Sequence, residues 1–220
     1  MSRTVGVLGG MGPEATVEFL RRVVAATPAR DDQDHVRILV DNNPKIPSRL
    51  AHLVDGTGEN PLPVLIEMAR GLERQGADFL AMPCNTAHYY RPEIAEAVDI
   101  PFLDMVALAI AKLTGKRIGM LASPAVQKVG LYEARLREAG FEAVFPDADG
   151  EARILGVIRA VKAAAVTEAH RRDYAAVARG LDADAYLLAC TELSVLGAPP
   201  GLKAVDALDA LVAETVARAI

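Results

Sequence analysis

The sequence has no tryptophan, few aromatic residues and only two cysteines. Aromatic residues make up 5% of its 220 residues, and the formal net charge is −5. Proteins that bind single-stranded nucleic acid rely on aromatic stacking and on clustered positive charge. We therefore expect no nucleic-acid partner. A local group of cations can still hold a small acidic molecule on a chain of negative net charge.

Long apolar runs are missing as well. No stretch approaches the ~18 uninterrupted apolar residues of a membrane-spanning helix, so we expect no membrane partner. The first residues lead straight into a strand-like segment without the apolar region of a signal peptide. Two cysteines in such a chain indicate reduced thiols, and we expect a cytoplasmic protein. The 51% hydrophobic and 24% charged content predicts an ordered globular fold.

The two cysteines occupy the same place in a repeated pattern. Residues 77–86 and 183–192 both begin with Ala-Asp, continue with an apolar run, and reach Cys84 or Cys190 six residues after the aspartate. An apolar run of this length is typical of a buried parallel strand. The polar residue at the end of each apolar run indicates that the strand ends there. Each cysteine is therefore predicted at the carboxyl edge of a sheet, where open α/β sheets bind ligands.

Strand-like and helix-like segments alternate along the whole chain, which predicts an α/β protein with parallel sheets. The order restarts near residue 117, where Arg-Ile-Gly-Met-Leu echoes the strand at residues 4–8. We interpret this as a tandem duplication, with a first domain at residues 1–105, a second at 106–206, and a C-terminal helix at 207–220 that packs back on the first. A ligand cleft is expected between the domains. The strands are predicted at residues 5–8, 36–40, 79–82, 100–103, 117–121, 141–145, 185–189 and 204–206.

Two thiols at one ligand provide the groups for inversion at carbon. One thiolate removes a proton from one face while the opposite thiol delivers a proton to the other face. The alternative for each cysteine, taken alone, is a small buried hydrophobic residue. A disulfide between them is not expected in a reducing compartment.

Several other residues are candidates for binding an acidic ligand. Asn85 and Thr86, and likewise Thr191 and Glu192, directly follow the cysteines, where they either hold a carboxylate or only cap a helix. Arg49, in the proline-stiffened loop after the second strand, either pairs with a carboxylate or is a solvated surface residue. Lys162 is either a second cation at the cleft or a surface lysine, and its spacing does not decide between them.

Other motifs give weaker signals. Residues 10–15 read G-x-G-x-x-A, a partial dinucleotide fingerprint, but Pro13 removes one of the backbone donors that such a site uses. His88, four residues after Cys84, has the spacing of a metal pair or a Cys–His nucleophile. No further Cys/His cluster supports a zinc site, and a second matching cysteine is not explained by a protease. We expect no metal, and no lysine motif indicates pyridoxal phosphate.

Taken together, these motifs resemble the cofactor-independent aspartate/glutamate racemase family over nearly the whole chain. The resemblance is carried by Gly-Gly-Met-Gly-Pro at 9–13, Asp-Gln-Asp-His at 32–35, Asn-Asn-Pro-Lys-Ile-Pro-Ser-Arg at 42–49, Pro-Cys-Asn-Thr-Ala-His at 83–88 and Cys-Thr-Glu-Leu at 190–193. It implies two Rossmann-like domains related by a pseudo-twofold axis, an active site in the cleft between them, and a homodimer.

The resemblance also implies functions for individual residues. Cys84 and Cys190 would be the acid and base, and no cofactor would be needed. The substrate would be an acidic amino acid, aspartate before glutamate. The residues implied to bind it are Met11, Arg49, Asn85, Thr86, Lys162 and Thr191. Ser123 and Glu192 are further candidates for substrate binding, from the turn after Leu121 and from the residues that follow Cys190.

One departure from the family pattern concerns the turn after the strand near Leu121. This turn is usually rich in threonine and binds a substrate carboxylate, but here Ser123 retains one hydroxyl and Val126 replaces a second threonine. The alternatives are therefore a related isomerase or decarboxylase of a small dicarboxylic acid, and a non-catalytic protein that binds acidic amino acids.

Overall fold

The computed structural model describes residues 2–220, so Met1, where the predicted first domain begins, lies outside the described residues. The strands are β1 (Val5–Gly9), β2 (Ile38–Asn42), β3 (Phe79–Ala81), β4 (Arg117–Ala122), β5 (Glu142–Val144), β6 (Ala185–Ala189) and β7 (Ala204–Asp206). The α-helices are α1 (Pro13–Ala26), α2 (Leu62–Arg74), α3 (Arg91–Glu96), α4 (Met105–Ile110), α5 (Pro124–Lys128), α6 (Glu133–Glu138), α7 (Ala148–Lys162), α8 (Glu168–Gly180), α9 (Thr191–Leu196) and α10 (Ala207–Ala219). Short 3-10 helices at Asp32–Asp34 and Thr86–Tyr90, and a π-helix at Ala51–Asp55, complete the connections.

The strands form two all-parallel sheets of matching order. The first sheet runs β2-β1-β3 and the second β5-β4-β6-β7. Every residue of β1 and β6 is buried, as expected for the central strands of sheets covered on both faces. The prediction of two α/β units with parallel sheets is confirmed. The domain limits at 105 and 206 stay a prediction.

Two predicted strands differ from the observed ones by more than one residue at an end. The second strand begins at Ile38 and extends to Asn42, two residues later than expected, and none of its residues is buried, because it is an edge strand. The predicted strand at 100–103 is reduced to a single bridge between Leu80 and Phe102. Pro101 explains the reduction, because it has no N–H and contributes only its carbonyl, which accepts from Leu80 N–H at 2.8 Å.

The C-terminal helix α10 packs against α1 and α4. Its buried face includes Leu208, Leu211 and Val216, and these residues belong to one apolar core that also contains residues of both sheets. The two units therefore share a core rather than meeting only at a surface. Within residues 2–220, no helix has both the length and the apolar character that crossing a membrane requires.

Arg22 of α1 connects the first unit to α9 and α10. Its guanidinium contacts Glu18, Asp206 and Asp209, each at 2.7 Å, and donates to the carbonyl of Ser194. The Ser194 hydroxyl donates in turn to Asp206 at 2.6 Å. Burial raises the pKa of Asp206, although Ser194 and Arg22 both bond to it. We call Arg22, Asp206 and Ser194 the Arg22 cluster.

Candidate active site

A narrow cavity of about 40 Å³ lies between the two units at the carboxyl ends of their strands. All of the predicted site residues line it. The lining residues are Met11, Ser48, Arg49, Leu50, Cys84, Asn85, Thr86, Ser123, Ile158, Lys162, Cys190, Thr191 and Glu192. Sequence reasoning did not single out Ser48, Leu50 or Ile158.

The two cysteines reach the cavity from equivalent positions in the two sheets. Cys84 follows β3 and Cys190 follows β6 directly, where it is the residue that precedes α9. Both thiols are free, and the two residues are 6% and 5% exposed. The repeated pattern in the sequence therefore corresponds to two buried thiols that line the same cavity.

The electrostatic surroundings of the two thiols differ. Burial raises the pKa of Cys84, while Arg49 opposes that rise. Burial also raises the pKa of Cys190, and the neighbouring Glu192 adds to that rise through its negative charge and by accepting the thiol hydrogen bond. Desolvation disfavours a thiolate, so a nearby cation is needed to form one at neutral pH.

The cavity contains two cations with different partners. Arg49 donates from Nη1 to the carbonyls of Ile46 and Pro47, at 3.2 and 2.7 Å. Among residues 2–220 it makes no ion pair, so no described carboxylate neutralises its charge. Lys162 lies 3.4 Å from Glu192 Oε1 and is 42% exposed. Both residues line the cavity, and Lys162 is at the same time exposed to solvent.

Asn85 presents its amide nitrogen without a partner. Tyr132, from the second unit, donates its phenol hydrogen to Asn85 Oδ1 at 2.6 Å. Asn85 is 2% exposed, and its Nδ2 is buried with no hydrogen-bond partner among the described residues. The contact fixes the position of the amide, with its carbonyl oxygen toward the phenol donor and its nitrogen turned away from it. A buried donor left free at a cavity wall can bind an anion.

We expect Tyr132→Phe to lower the free energy of unfolding by about 1–3 kcal/mol, because Asn85 Oδ1 would stay buried without a donor. Urea denaturation of wild type and variant measures this change. Tyr174→Phe is the matched control, since the Tyr174 hydroxyl is buried without a partner, and its loss should cost less. Equal losses for the two variants would contradict the assignment.

A second contact between the units joins Thr86 and Ser123. Their hydroxyl oxygens lie 3.1 Å apart at the cavity wall. Val126, which replaces the threonine common in the family, is fully buried in the core. The substituted turn therefore keeps one hydroxyl at the cavity, and the valine contributes to packing.

His88 contacts the backbone of Cys84 rather than its thiol. Its Nδ1 lies 2.8 Å from the Cys84 carbonyl, and Nε2 accepts from Met105 N–H at 3.2 Å. An imidazole that accepts at Nε2 must carry its proton on Nδ1. Burial lowers the pKa of His88 to about 4, so the ring is neutral at pH 7. His88 therefore connects the Cys84 loop to the start of α4, and the Cys–His nucleophile geometry is not present.

The glycine-rich loop after β1 is held against the loop that carries Arg49. Gly10 has φ +91°, and a Cβ there would lie 2.3 Å from the Asn43 carbonyl carbon. Only glycine fits this close approach, which brings Met11 and the Arg49 loop to the same cavity. The glycine pattern is thus explained by packing within the chain. No group of three or more His, Cys, Asp or Glu side chains within residues 2–220 has a metal-binding arrangement.

The fold and the cavity define a class: a two-unit parallel α/β protein with a pair of buried thiols between the units. The model of the Asp/Glu/Hydantoin racemase family matches residues 8–215. The chain belongs to this family.

Individual relatives agree with this assignment. The structure of Picrophilus torridus aspartate racemase superposes with a TM-score of 0.89 at 33% identity, over 99% of this chain and 94% of that one. The "Broad specificity amino-acid racemase RacX" of Bacillus subtilis (strain 168) is 30% identical over 150 residues, which is 65% of this chain and 64% of the relative. Glutamate racemase from Francisella tularensis, solved with D-glutamate, shares the fold with a TM-score of 0.67 at 16% identity. The matched stretch thus spans less than two thirds of the Bacillus protein's length.

Proposed function

We propose that this protein racemises an acidic amino acid, aspartate first, by proton transfer between Cys84 and Cys190 without a cofactor. One observation carries the proposal. Two buried thiols at equivalent strand ends of two repeated units line a single cavity. A pair of thiols provides the base for one face of the substrate carbon and the acid for the other.

The reaction needs three steps from these residues. One cysteine thiolate takes the proton from the substrate α-carbon, so that the C–H bond breaks and an S–H bond forms. The carbanion left behind is stabilised by nearby cations and donors. The other cysteine then gives its proton to the opposite face, so that its S–H bond breaks and the new C–H bond forms. The enzyme ends with the thiolate on the second cysteine.

The cavity supplies groups suited to an acidic substrate. Arg49 has a charge that no described carboxylate neutralises, and Asn85 Nδ2 is a buried donor without a partner. Arg49 can hold one carboxylate bidentately. Asn85, with the hydroxyls of Thr86 and Ser123, can hold the other. The aspartate racemase relative supports aspartate, and the relative named for broad specificity makes further amino acids worth testing.

The cavity is smaller than an acidic amino acid. By the same measure one water needs about 10–15 Å³, so about 40 Å³ holds only a few waters. We propose that the two units move apart to admit substrate and close on it. Closure would exclude water and so strengthen the charge interactions at the carbanion.

Incubation in D2O tests the proposal. The reduced protein is mixed separately with L-aspartate, L-glutamate and a panel of neutral amino acids, and the α-proton is followed by NMR alongside chiral chromatography. Deuterium incorporation with formation of the D-enantiomer is expected for aspartate. Thermal stabilisation by aspartate without any exchange would instead indicate a binding protein. A covalent adduct detected by mass spectrometry would indicate the isomerase or decarboxylase alternative.

We also propose a cytoplasmic location, a homodimer and catalysis without pyridoxal phosphate. Both thiols must be reduced to act, which a cytoplasmic location provides. The resemblance supports a homodimer, and sedimentation velocity would measure the assembly. Undiminished activity after hydroxylamine treatment would agree with catalysis that does not use pyridoxal phosphate.

A further inference from the structure

Glu192 directly contacts only one of the two thiols. Cys190 Sγ donates to Glu192 Oε2 at 3.1 Å. The other carboxylate oxygen, Oε1, lies 3.4 Å from Lys162 Nζ and makes no hydrogen bond among the described residues. The Glu192 side chain is 7% exposed. A buried carboxylate therefore joins the thiol of Cys190 on one side to an ammonium group on the other.

Cys84 has no carboxylate in the equivalent place. The residue two positions after it is Thr86, whose hydroxyl contacts Ser123. Burial is the largest influence on both thiols. At Cys84 the next influence is Arg49, which favours the thiolate, and the opposing charge of Glu192 comes only after it. At Cys190 the next influence after burial is the charge of Glu192, which favours the thiol. The repeat that places the cysteines alike is thus broken at the residue two positions further on.

We propose that Glu192 is a positioning residue that keeps the proton on Cys190, so that when the pair of thiols loses one proton, the thiolate forms at Cys84. The inference rests on the proposed function, because it assigns the starting protonation state of the two-thiol reaction. In this state Cys84 is the base and Cys190 the acid. The enantiomer whose C–H bond faces Cys84 meets an enzyme ready to react.

The consequence is an asymmetric cycle. After one turnover the thiolate lies on Cys190 beside the Glu192 carboxylate, which is the less favourable arrangement. The first state is restored when solvent delivers a proton to Cys190 and takes one from Cys84. Because the two enantiomers are equally stable in water, kcat/KM must be the same in both directions. In an asymmetric enzyme kcat therefore differs between the two directions, and KM differs by the same factor.

The other groups around Cys190 do not duplicate the charge of Glu192. Lys162 on α7 opposes it and lowers the pKa of Cys190. Tyr174 on α8 is a buried phenol whose own pKa burial raises, which favours its neutral form. Cys84 is the remaining thiol at the cavity. Removal of the Glu192 charge is therefore the change that tests the inference.

Thiolate absorbance in the absence of substrate tests the inference. Cys84→Ser leaves only Cys190 to titrate, and Cys190→Ser leaves only Cys84. In the Cys84→Ser background, Glu192→Gln keeps the size of the side chain but removes its charge. We expect it to increase the thiolate fraction of Cys190 about tenfold near pH 9, corresponding to one pKa unit. The same substitution in the Cys190→Ser background should change Cys84 several-fold less.

Lys162→Met provides a test of opposite sign. Loss of the ammonium leaves the Glu192 charge unopposed, so the thiolate fraction of Cys190 should fall. Glu192→Asp, which keeps the charge, should restore most of the wild-type titration, and Glu214→Gln on α10 is the matched control that should change nothing. The inference is overturned if Glu192→Gln and Lys162→Met both leave Cys190 unchanged, or if Glu192→Gln shifts both thiols equally.

The titration also separates this inference from the proposed function. It uses no substrate, so a protein that racemises nothing can still show the expected shift, and then only the proposed function fails. If wild type racemises aspartate while the titration shows no shift, only the assignment of Glu192 fails. In an active enzyme, Glu192→Gln should also change the kcat ratio between the two directions.

Discussion

Cys84→Ala and Cys190→Ala are each expected to lower kcat/KM for racemisation about a thousandfold, within the range produced by loss of a general acid or base. Each variant removes one of the two proton carriers, and the methyl group of alanine cannot replace it. Chiral chromatography of reactions with L- and D-aspartate measures the loss. Both residues are nearly fully buried, so circular dichroism must show that each variant is folded.

Solvent exchange provides the control for this prediction. Each single variant should exchange the α-proton of one enantiomer in D2O without inverting it, and the two variants should act on opposite enantiomers. The double variant Cys84→Ala/Cys190→Ala should exchange neither. Its racemisation should be no slower than that of the single variants, because residues that act as a unit are not additive. Racemisation at close to the wild-type rate in either single variant would refute the two-base mechanism.

The parts of the fold that follow from local pattern were predictable. Buried parallel strands such as β1 and β6 are short apolar runs, and the Ala-Asp-to-cysteine repeat marks the same sheet edge twice. The prediction ended β2 too early, because it assigned the polar residues Asp41 and Asn42 to the loop after the strand. Both are inside the strand, since an edge strand tolerates polar side chains. At 100–103 the apolar pattern was present, but Pro101 removed the N–H that a longer ladder needs.

The cavity residues that belong to sequence motifs were predictable, whereas three others on a loop or a helix face were not. Ser48 and Leu50 lie next to Arg49, and nothing in their residue types distinguishes them from ordinary loop residues. Ile158 lies one helical turn before Lys162 on α7, and that spacing is the signal that could have placed both at the cavity.

Contacts between distant parts of the chain had no local signal. Tyr132 and Asn85 are 47 residues apart, and Arg22 and Asp206 are 184 apart. Each of these residues is unremarkable in its own segment. Only the packed fold makes Tyr132 the partner of Asn85, and only the docking of α10 brings Asp206 to Arg22.

Arg22→Met is expected to lower the free energy of unfolding by about 3 kcal/mol, at the lower end of the range for breaking a buried ion pair. The lower end applies because the Arg22 side chain is 14% exposed and one of its partners, Asp209, is 66% exposed. The loss arises because the buried Asp206 carboxylate would lose its cation and keep only the Ser194 hydroxyl and the Leu208 N–H as partners. Urea denaturation followed by circular dichroism measures the change.

Arg21→Met is the matched control on the same helix. Arg21 is 64% exposed and pairs with Glu18 alone, so its removal should leave the free energy of unfolding nearly unchanged. Arg22→Met/Asp206→Asn should recover part of the loss, because the second substitution removes the stranded charge. Equal destabilisation by Arg21→Met and Arg22→Met would contradict the prediction. Since Ser194 lies on α9, which begins directly after Cys190, loosening of the Arg22 cluster should also lower kcat by displacing the thiol of the second unit.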